Sequence, residues 1–442
     1  MDIIELKKII QENGIAGAGG AGFPTYAKLD MRTDTIILNC AECEPLLKVH
    51  RQMLQKFAYE IMTALSVIAQ AVEAQKVVIA VKGSYTGAVN AVKANIDNFK
   101  NIELKLLPEI YPAGDEVILI YETLGKVVPP GSIPIETGTA VMNVETVYNV
   151  YKALNQKEPV IYKYITVAGE VNNPVTLKAP LGITVQELVD KAGGTTVKNA
   201  VYIMGGPMTG RIVQPYDIIT KTSNAILVMP ENHCIVNKRT SKVTIDMKRA
   251  MSVCCQCQMC TDLCPRHLLG HPIAPHAFMR VATSGITSDV KPFLDTMFCS
   301  QCGLCEFYSC SQGLSPRTLI GEYKAGLRKN GVAIPKGIPL KPVEPMRETR
   351  RVPMERLTSR LGLTKYNVEA PLIDEVVETP LVKIMLSQHI GAPAKAVVSK
   401  GDKVEAGQLI GQAAQNALSI PVHASVSGTV QDVNDKFITI KA

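Results

Sequence analysis

Eight of the twelve cysteines in this chain fall into two runs of nearly the same spacing. Cys254, Cys257, Cys260 and Cys264 read C-x2-C-x2-C-x3-C, followed by Pro265. Cys299, Cys302, Cys305 and Cys310 read C-x2-C-x2-C-x4-C, with Ser311 in the place of that proline. Three thiolates two residues apart can wrap a tight loop around three irons of a cuboidal cluster, and a fourth after a gap reaches the remaining iron. Structural zinc is the competing chemistry. It uses separated C-x2-C knuckles, so a third cysteine at the same short interval, twice, is superfluous for it. The spacing therefore predicts two [4Fe–4S] clusters.

Where two such runs occur together, the fourth cysteine of each serves the other cluster. That crossing assigns Cys254, Cys257, Cys260 and Cys310 to one cluster and Cys299, Cys302, Cys305 and Cys264 to the other. The extra residue in the second run leaves the cluster type there more open. Cys255 breaks the spacing and reads as a non-ligand neighbour. Cys234 reads as a lone core thiol.

A second chemical signal lies near the start. Gly17, Gly19 and Gly22 match G-x-G-x-x-G, and Glu42 and Glu44 follow, as a dinucleotide fingerprint asks about 20 residues later. The fingerprint needs a strand just before it. Here Ile3, Ile4, Leu6, Ile9 and Ile10 form a helical stripe instead. The loop is thus not an ordinary Rossmann turn. Its bare amides could approach a phosphate or a planar ring, with Lys28 just beyond; a flexible surface turn is the plainer alternative. Residues 35–39 read as a buried strand, which places Asn39, Glu42 and Glu44 at a strand's C-terminal end, where open α/β sheets bind ligands. Cys40 and Cys43 form C-x2-C with no second pair nearby, a poor metal site.

These groups need elements to hold them. The chain has 442 residues, 46 % hydrophobic, and a net charge of +7 from 47 basic and 40 acidic residues. No dense basic block is interleaved with aromatics, so no nucleic-acid partner is expected. The start "MDIIELKKII" lacks a signal-peptide core, and no run of about 18 apolar residues predicts a transmembrane segment. The expected location is cytoplasmic, where thiols stay reduced. The predicted fold class is multidomain α/β plus β. Residues 1–158 alternate strands (76–81, 102–107) with an apolar stripe over 57–72, which predicts a Rossmann-like α/β domain. Residues 159–240 predict a small β-grasp (SLBB) domain with a helix from Val185; its "GGPMTG" turn either touches the first domain or is a plain tight turn. Residues 241–330 form a ferredoxin-like α-helical segment. Residues 331–370, proline-rich at the start, predict a linker. Residues 371–442 predict an all-β barrel-sandwich domain. Carriers of that type expose a lysine at a hairpin tip, but "QAAQNALSI" has none, so docking or structure is its expected use. His389 and His423 are expected to be satisfied packing histidines rather than ligands.

Four stretches, "GAGGAGFPT" with Lys28, "NCAECEP", "YPAGDE" and "VMNVET", occur in the order found in a known family. The chain resembles the flavin-bearing subunit of respiratory complex I and its relatives, which include RnfC-type subunits and the PduS-type cobalamin reductases of propanediol-utilisation microcompartments. The C-terminal position of the sandwich domain, with "CTDLCPRH" and "PVHAS", resembles the PduS type. The resemblance implies non-covalent FMN with NADH stacked on its ring. Gly17, Gly19, Gly20, Ala21 and Phe23 would line the ring or phosphate, and Lys28 would meet the phosphate. Asn39, Glu42 and Cys43 would lie beside the flavin. Tyr111, Gly114, Asp115 and Glu116 would form an acidic wall, and Met142, Asn143 and Thr146 would close the phosphate side. Ala18 and Ala41 depart from the basic and acidic residues of complex I-type chains.

A nicotinamide gives a hydride and an iron–sulfur cluster takes one electron, so a flavin between them splits the pair. The expected path runs from NADH through FMN, a first cluster and a second cluster to an acceptor, with no acid–base side chain. The resemblance implies a corrinoid cobalt as acceptor, alone or in a corrinoid-handling enzyme. Two alternatives stay open: an RnfC-like subunit serving ferredoxin or a membrane complex, and an electron-carrying adaptor without NADH activity that docks to a microcompartment shell protein. Encapsulation stays open with them, as does a shell-targeting use of the helix over 3–10 against a core-packing one.

Overall fold

A computed structural model describes residues 1–442. The first domain supplies β1 (Thr35–Cys40), β2 (Lys76–Lys82), β3 (Ile102–Leu107), β4 (Ile110–Tyr111) and β5 (Thr139–Asn143). Four of them form a parallel sheet in the order β3-β2-β1-β5. A parallel sheet must be covered on both faces. Successive side chains of β1 point to opposite faces: Ile36, Leu38 and Cys40 enter the larger core and Ile37 the smaller one. Helices α1 (Ile3–Glu12), α2 (Val49–Lys56), α3 (Ala58–Ala71) and α4 (Thr86–Asn95) cover the larger core; α5 (Glu116–Leu124) covers the smaller one, and α6 (Val144–Gln156) returns to the larger. In α1, Leu6 and Ile10 are fully buried while Ile4 is 76 % exposed. This helix packs on the core, so the shell-targeting reading loses its free peptide.

The β-grasp domain contains β6 (Tyr162–Gly169), β7 (Val175–Pro180), β8 (Ala200–Met204), β9 (Arg211–Val213) and β10 (Ala225–Pro230). Strands β6 and β10 pair in parallel at its centre. Its helix, Val185–Lys191, opens with a capping box between Thr184 and Glu187, the local signal that starts a helix.

The segment 331–370 is not a loose linker. Residues 331–345 have no regular structure, but β11 (Val352–Pro353) pairs antiparallel with β4. Leu357, Leu361, Leu363 and Tyr366 are buried beside Leu47, Tyr111, Met208 and Leu304. Arg347 pairs with Glu122, both buried, and its guanidinium lies 4.5 Å from the Tyr121 ring centre. The segment is a strap binding three domains. The sandwich boundary also moves: β12 (Leu372–Val376) joins β7 of the β-grasp sheet, and the sandwich strands begin at Leu381–Met385. Cys234 lies exposed at the start of helix Cys234–Thr240, not in a core. No helix is long and apolar enough to cross a membrane.

The sandwich domain packs against the glycine loop. Ile390 N donates to Gly22 O, and Lys221 Nζ donates to Gly14 O at 2.6 Å and to Pro421 O at 3.4 Å. His389 and His423 do pack here, and Nδ1 of His423 has no protein partner. Burial, then the Lys221 charge, holds both rings down at about 4. Burial holds Lys221 itself down at about 7 against an ordinary 10.5. The unfolded chain therefore binds more protons between pH 7 and the ordinary lysine range, and stability rises with pH across that window. Urea unfolding between pH 7 and 10 should show a gain of up to about 4 kcal/mol that Lys221→Met abolishes. An identical slope in the variant would contradict this assignment.

Candidate functional site

Each residue named for FMN lines one cleft of about 830 Å³ between the first domain and the β-grasp domain. The lip is the loop Gly17, Gly19, Gly20, Ala21 and Phe23. Its base is held by hydrogen bonds. Gly17 N donates to Phe23 O, and Ala18 N donates to Thr146 Oγ1, each at 2.9 Å. Lys163 Nζ, fully buried and paired with Glu145, donates to Ala18 O at 2.8 Å. Ala18 is 2 % exposed, which leaves no room for the basic side chain of complex I-type chains. Gly20 adopts a left-handed backbone and faces open space, so its amide is accessible to a ligand.

The end of β1 interlocks with the Tyr111–Glu116 turn. Asn39 Nδ2 donates to Gly114 O at 3.0 Å, and Gly114 N donates to Cys43 Sγ at 2.9 Å. A Cβ on Gly114 would stand 2.1 Å from Ala41 O. Glu42 borders the cleft but spends its carboxylate on His50 N (2.8 Å) and Arg51 Nε (2.7 Å), so it is a positioning residue. Burial first, against the pull of Glu42, lowers the His50 pKa, and the neutral ring's Nε2 lies 3.0 Å from Asn143 Nδ2. Asn143 Oδ1 caps α6 beside Met142 and Thr146. Lys28 Nζ lies 2.9 Å from Glu116 Oε1, so the residues expected at the phosphate and on the acidic wall meet across the cleft.

The β-grasp wall escaped the sequence reading. Arg211, Thr222, Ser223 and Asn224 line the cleft, as do Gly205, Gly206 and Thr209 of the "GGPMTG" turn. Glu44 pulls that turn in, accepting from Met208 N at 2.7 Å and Thr209 Oγ1 at 2.6 Å. Burial raises the Glu44 pKa against those bonds. Of the two readings of the turn, the domain contact is the one observed. Thr25 Oγ1 and Asn224 Oδ1 are buried in this cleft without partners. A buried polar atom left unpaired is costly, and a polar planar ligand would satisfy both. Bare amides, unpaired acceptors, apolar Leu47 and Val141, and cationic Lys28 and Arg211 together fit a flavin mononucleotide.

The cysteine runs form the third wall. Both loops use the same backbone device: the residues flanking the second cysteine, Gln256 and Gln258 in one and Gln301 and Gly303 in the other, adopt left-handed φ. For three glutamines that is strained, as at ligand-holding turns. Gln256 Nε2 donates to Cys254 Sγ, and Gln301 Nε2 to Cys299 Sγ, each at 3.3 Å. Cys254, Cys257, Cys260 and Cys310 surround a common cavity. Burial pushes the Cys264 thiol up to about 12, with Cys299 adding to it. Burial and then Cys264 raise Cys302, and burial followed by Cys299 and Cys302 raises Cys305. Cys264, Cys299, Cys302 and Cys305 thus act on one another, and Cys260 of the earlier run also acts on Cys305. Thiols held this high become thiolate ligands only if a metal supplies the charge. No three His, Cys, Asp or Glu side chains converge tightly enough for a single metal ion; a cubane, with one thiolate per iron, spreads its sulfurs around a cage. The extra residue after Cys305 is absorbed by a π-type turn, Cys305–Ser309, and the helix-starting proline arrives at Pro316.

Cys302 and Ser300 line the flavin cleft, and Tyr111 Oη donates to Cys302 O at 2.5 Å. Arg266, two residues after Cys264, donates to both oxygens of Asp115, at 2.9 and 3.0 Å. Of the eight cluster cysteines, the one that lines the cleft, Cys302, therefore belongs to the later run. Chain order does not give the electron order. The earlier run opens outward, with Cys255 and Cys257 exposed.

Comparison with known proteins matches four families along the chain: the Nuo51 FMN-binding domain over 10–152, the SLBB domain over 164–212, a 4Fe-4S dicluster domain over 253–315 and the RnfC barrel sandwich hybrid domain over 363–441. Cobalamin reductase PduS of Salmonella typhimurium is 37 % identical over 437 residues, 99 % of this chain and 96 % of that protein. Its counterpart in Citrobacter freundii is also 37 % identical, over 99 % of this chain and 97 % of that protein. One component of the Na(+)-translocating ferredoxin:NAD(+) oxidoreductase complex of Acetobacterium woodii is 32 % identical, over 63 % of this chain and 61 % of that protein. A chain of an NAD+-reducing [NiFe]-hydrogenase in the H2-reduced state superposes with a TM-score of 0.51 at 19 % identity, over 79 % of this chain and 65 % of that one, a likeness of fold alone.

Two substitutions test this geometry. Gly114→Ala forces a Cβ onto Ala41 O; it should cost roughly 1–3 kcal/mol and strip FMN from the purified protein, and full flavin content would contradict the interlock. The double variant Cys254→Ala/Cys310→Ala should keep half the wild-type iron and sulfide if the runs cross. Loss of all of it would show that each run holds its own cluster.

Proposed function

The chain belongs to the family of PduS-type cobalamin reductases, and from that membership and the shape of the cleft we propose that it passes electrons from NADH to the cobalt of a corrinoid. The observation that carries the reading is the position of the Cys299–Cys302 loop. It forms a wall of the nucleotide cleft and is bonded to Tyr111.

In this reading the glycine loop amides and Asn143 hold FMN from one side, and Asn39, Cys43 and the Gly114 turn hold it from the other. Cys254, Cys257, Cys260 and Cys310 hold one cluster, and Cys264, Cys299, Cys302 and Cys305 the other. When bound, FMN takes a two-electron hydride and each [4Fe–4S] cluster carries one electron at a time, so two clusters match the two electrons of one hydride. The chain's own work is placement. Arg211 and Lys28 offer positive charge to nucleotide phosphates, and Asp115, held by Arg266, fixes the turn that separates the cleft from the sulfur ligands. No side chain has to move a proton. The balance is NADH plus two cob(II)alamin giving NAD+, a proton and two cob(I)alamin.

The same reading sets the chain beside a corrinoid-handling enzyme, inside a propanediol-utilisation microcompartment. With Leu6 and Ile10 of α1 docked on the core, a shell-protein contact through this helix would have only its outer face, around Ile4.

Anaerobic protein mixed with NADH should lose its flavin absorbance, and cob(II)alamin should restore it with two equivalents consumed per NADH. Absence of bleaching would overturn the NADH assignment and favour the adaptor; restoration by ferredoxin but not by cob(II)alamin would favour the RnfC-like reading. Tyr111→Phe removes one hydrogen bond, worth roughly 1 kcal/mol. It should leave bleaching intact and slow the restoring step; equal rates in both steps would remove Tyr111 from the path.

A further inference from the structure

A second cavity, of about 730 Å³, lies on the other side of the Cys299–Cys302 loop. Ser300 lines both it and the flavin cleft, so the loop is a partition between two ligand-sized spaces. Arg266, Lys324 and Arg328 line this second cavity, together with His271, and no carboxylate does. Lys324 Nζ donates to Cys299 O at 2.5 Å, which fixes one cation beside a predicted cluster ligand. Arg328 stands exposed in the last turn of helix Pro316–Lys329. The lining also includes apolar side chains: Met297 and Phe298, both largely buried, Ile334, and Ile133, which is 58 % exposed although large and aliphatic.

Cations together with exposed hydrocarbon at Ile133, and no carboxylate, suit a bulky planar ligand that carries a phosphate. Resting on the function proposed above, we propose that this cavity binds the electron acceptor by a phosphate group held between Lys324 and Arg328. The phosphate is either the nucleotide-loop phosphodiester of a corrinoid or the terminal phosphate of a free flavin nucleotide. Either ligand would sit one loop away from the flavin cleft, beside Cys299 of the later run, and would take its electrons from that set. The outward-facing earlier set would then lie off this direct path rather than between flavin and acceptor.

Binding separates the sources. Cob(II)alamin, cobinamide (a corrinoid without the nucleotide loop) and free FMN are each equilibrated anaerobically with the flavin- and iron-loaded protein, and bound ligand is counted after ultrafiltration. Arg328→Glu reverses a charge at an exposed position. Arg356→Glu makes the same change in a different surface cleft. Cob(II)alamin should bind more tightly than cobinamide, and Arg328→Glu should weaken it about tenfold and erase the preference, while Arg356→Glu does neither. If Arg328→Glu weakens free FMN and not cob(II)alamin, the phosphate is that of a flavin nucleotide. Equal binding of cob(II)alamin and cobinamide, with free FMN indifferent to Arg328→Glu, overturns the site. NADH bleaching should be the same in Arg328→Glu as in the wild type. Failure of bleaching in the wild type would count against the function itself, not against this cavity.

Discussion

Burial of sulfur is the constraint around which this molecule is arranged. A thiol removed from water resists ionisation, and Cys264, Cys302 and Cys305 are all raised chiefly by burial. Such groups are useful as ligands only around a metal that repays the lost hydration. Both loops use the same left-handed residues around their second cysteine, and in the proposed assignment each lends its fourth cysteine to the other. That exchange would make one unit of two sites, since neither ligand set would be complete without both runs.

The rest of the architecture serves to bring that unit to a nucleotide cleft. Tyr111, the last residue of β4, and Asp115, on the turn after it, reach the two cysteine runs through Cys302 O and Arg266. The strap pairs with β4 and buries Leu357, Leu361 and Leu363 in the core shared with Leu304 and Phe307 of the later run. Glu44 draws the β-grasp turn over the same cleft. The sandwich domain closes the outer side of the glycine loop through Gly22 and Lys221. Every domain therefore touches either the flavin loop or the sulfur loops.

What was legible in the sequence was what local spacing dictates. A cluster loop is seven residues long, and its cysteine interval is visible whatever surrounds it. The glycine loop, the β1 end and the sheet of the first domain are equally local, and the stripe in α1 betrays a core helix. Tertiary assembly was not legible. Arg211 and Thr222 to Asn224 carry no motif; they reach the cleft because the β-grasp domain is clamped by Glu44. Prolines made the strap look extended, yet its burial comes from leucines after the last proline. His389 and His423 fit their surroundings sterically, but no pattern reveals that Lys221 is their neighbour. The order of the two sulfur sets along the path likewise depends on which loop faces the cleft, and chain order carries no such information.

The central claim is that two interlocked cubanes stand at one wall of the flavin cleft. Low-temperature EPR of the dithionite-reduced protein, with iron and acid-labile sulfide counted on the same sample, tests it most directly. The account predicts roughly eight irons and eight sulfides per chain and spectra broadened by spin coupling between neighbouring clusters. Zinc in place of iron, absence of sulfide, or two magnetically independent signals would contradict it.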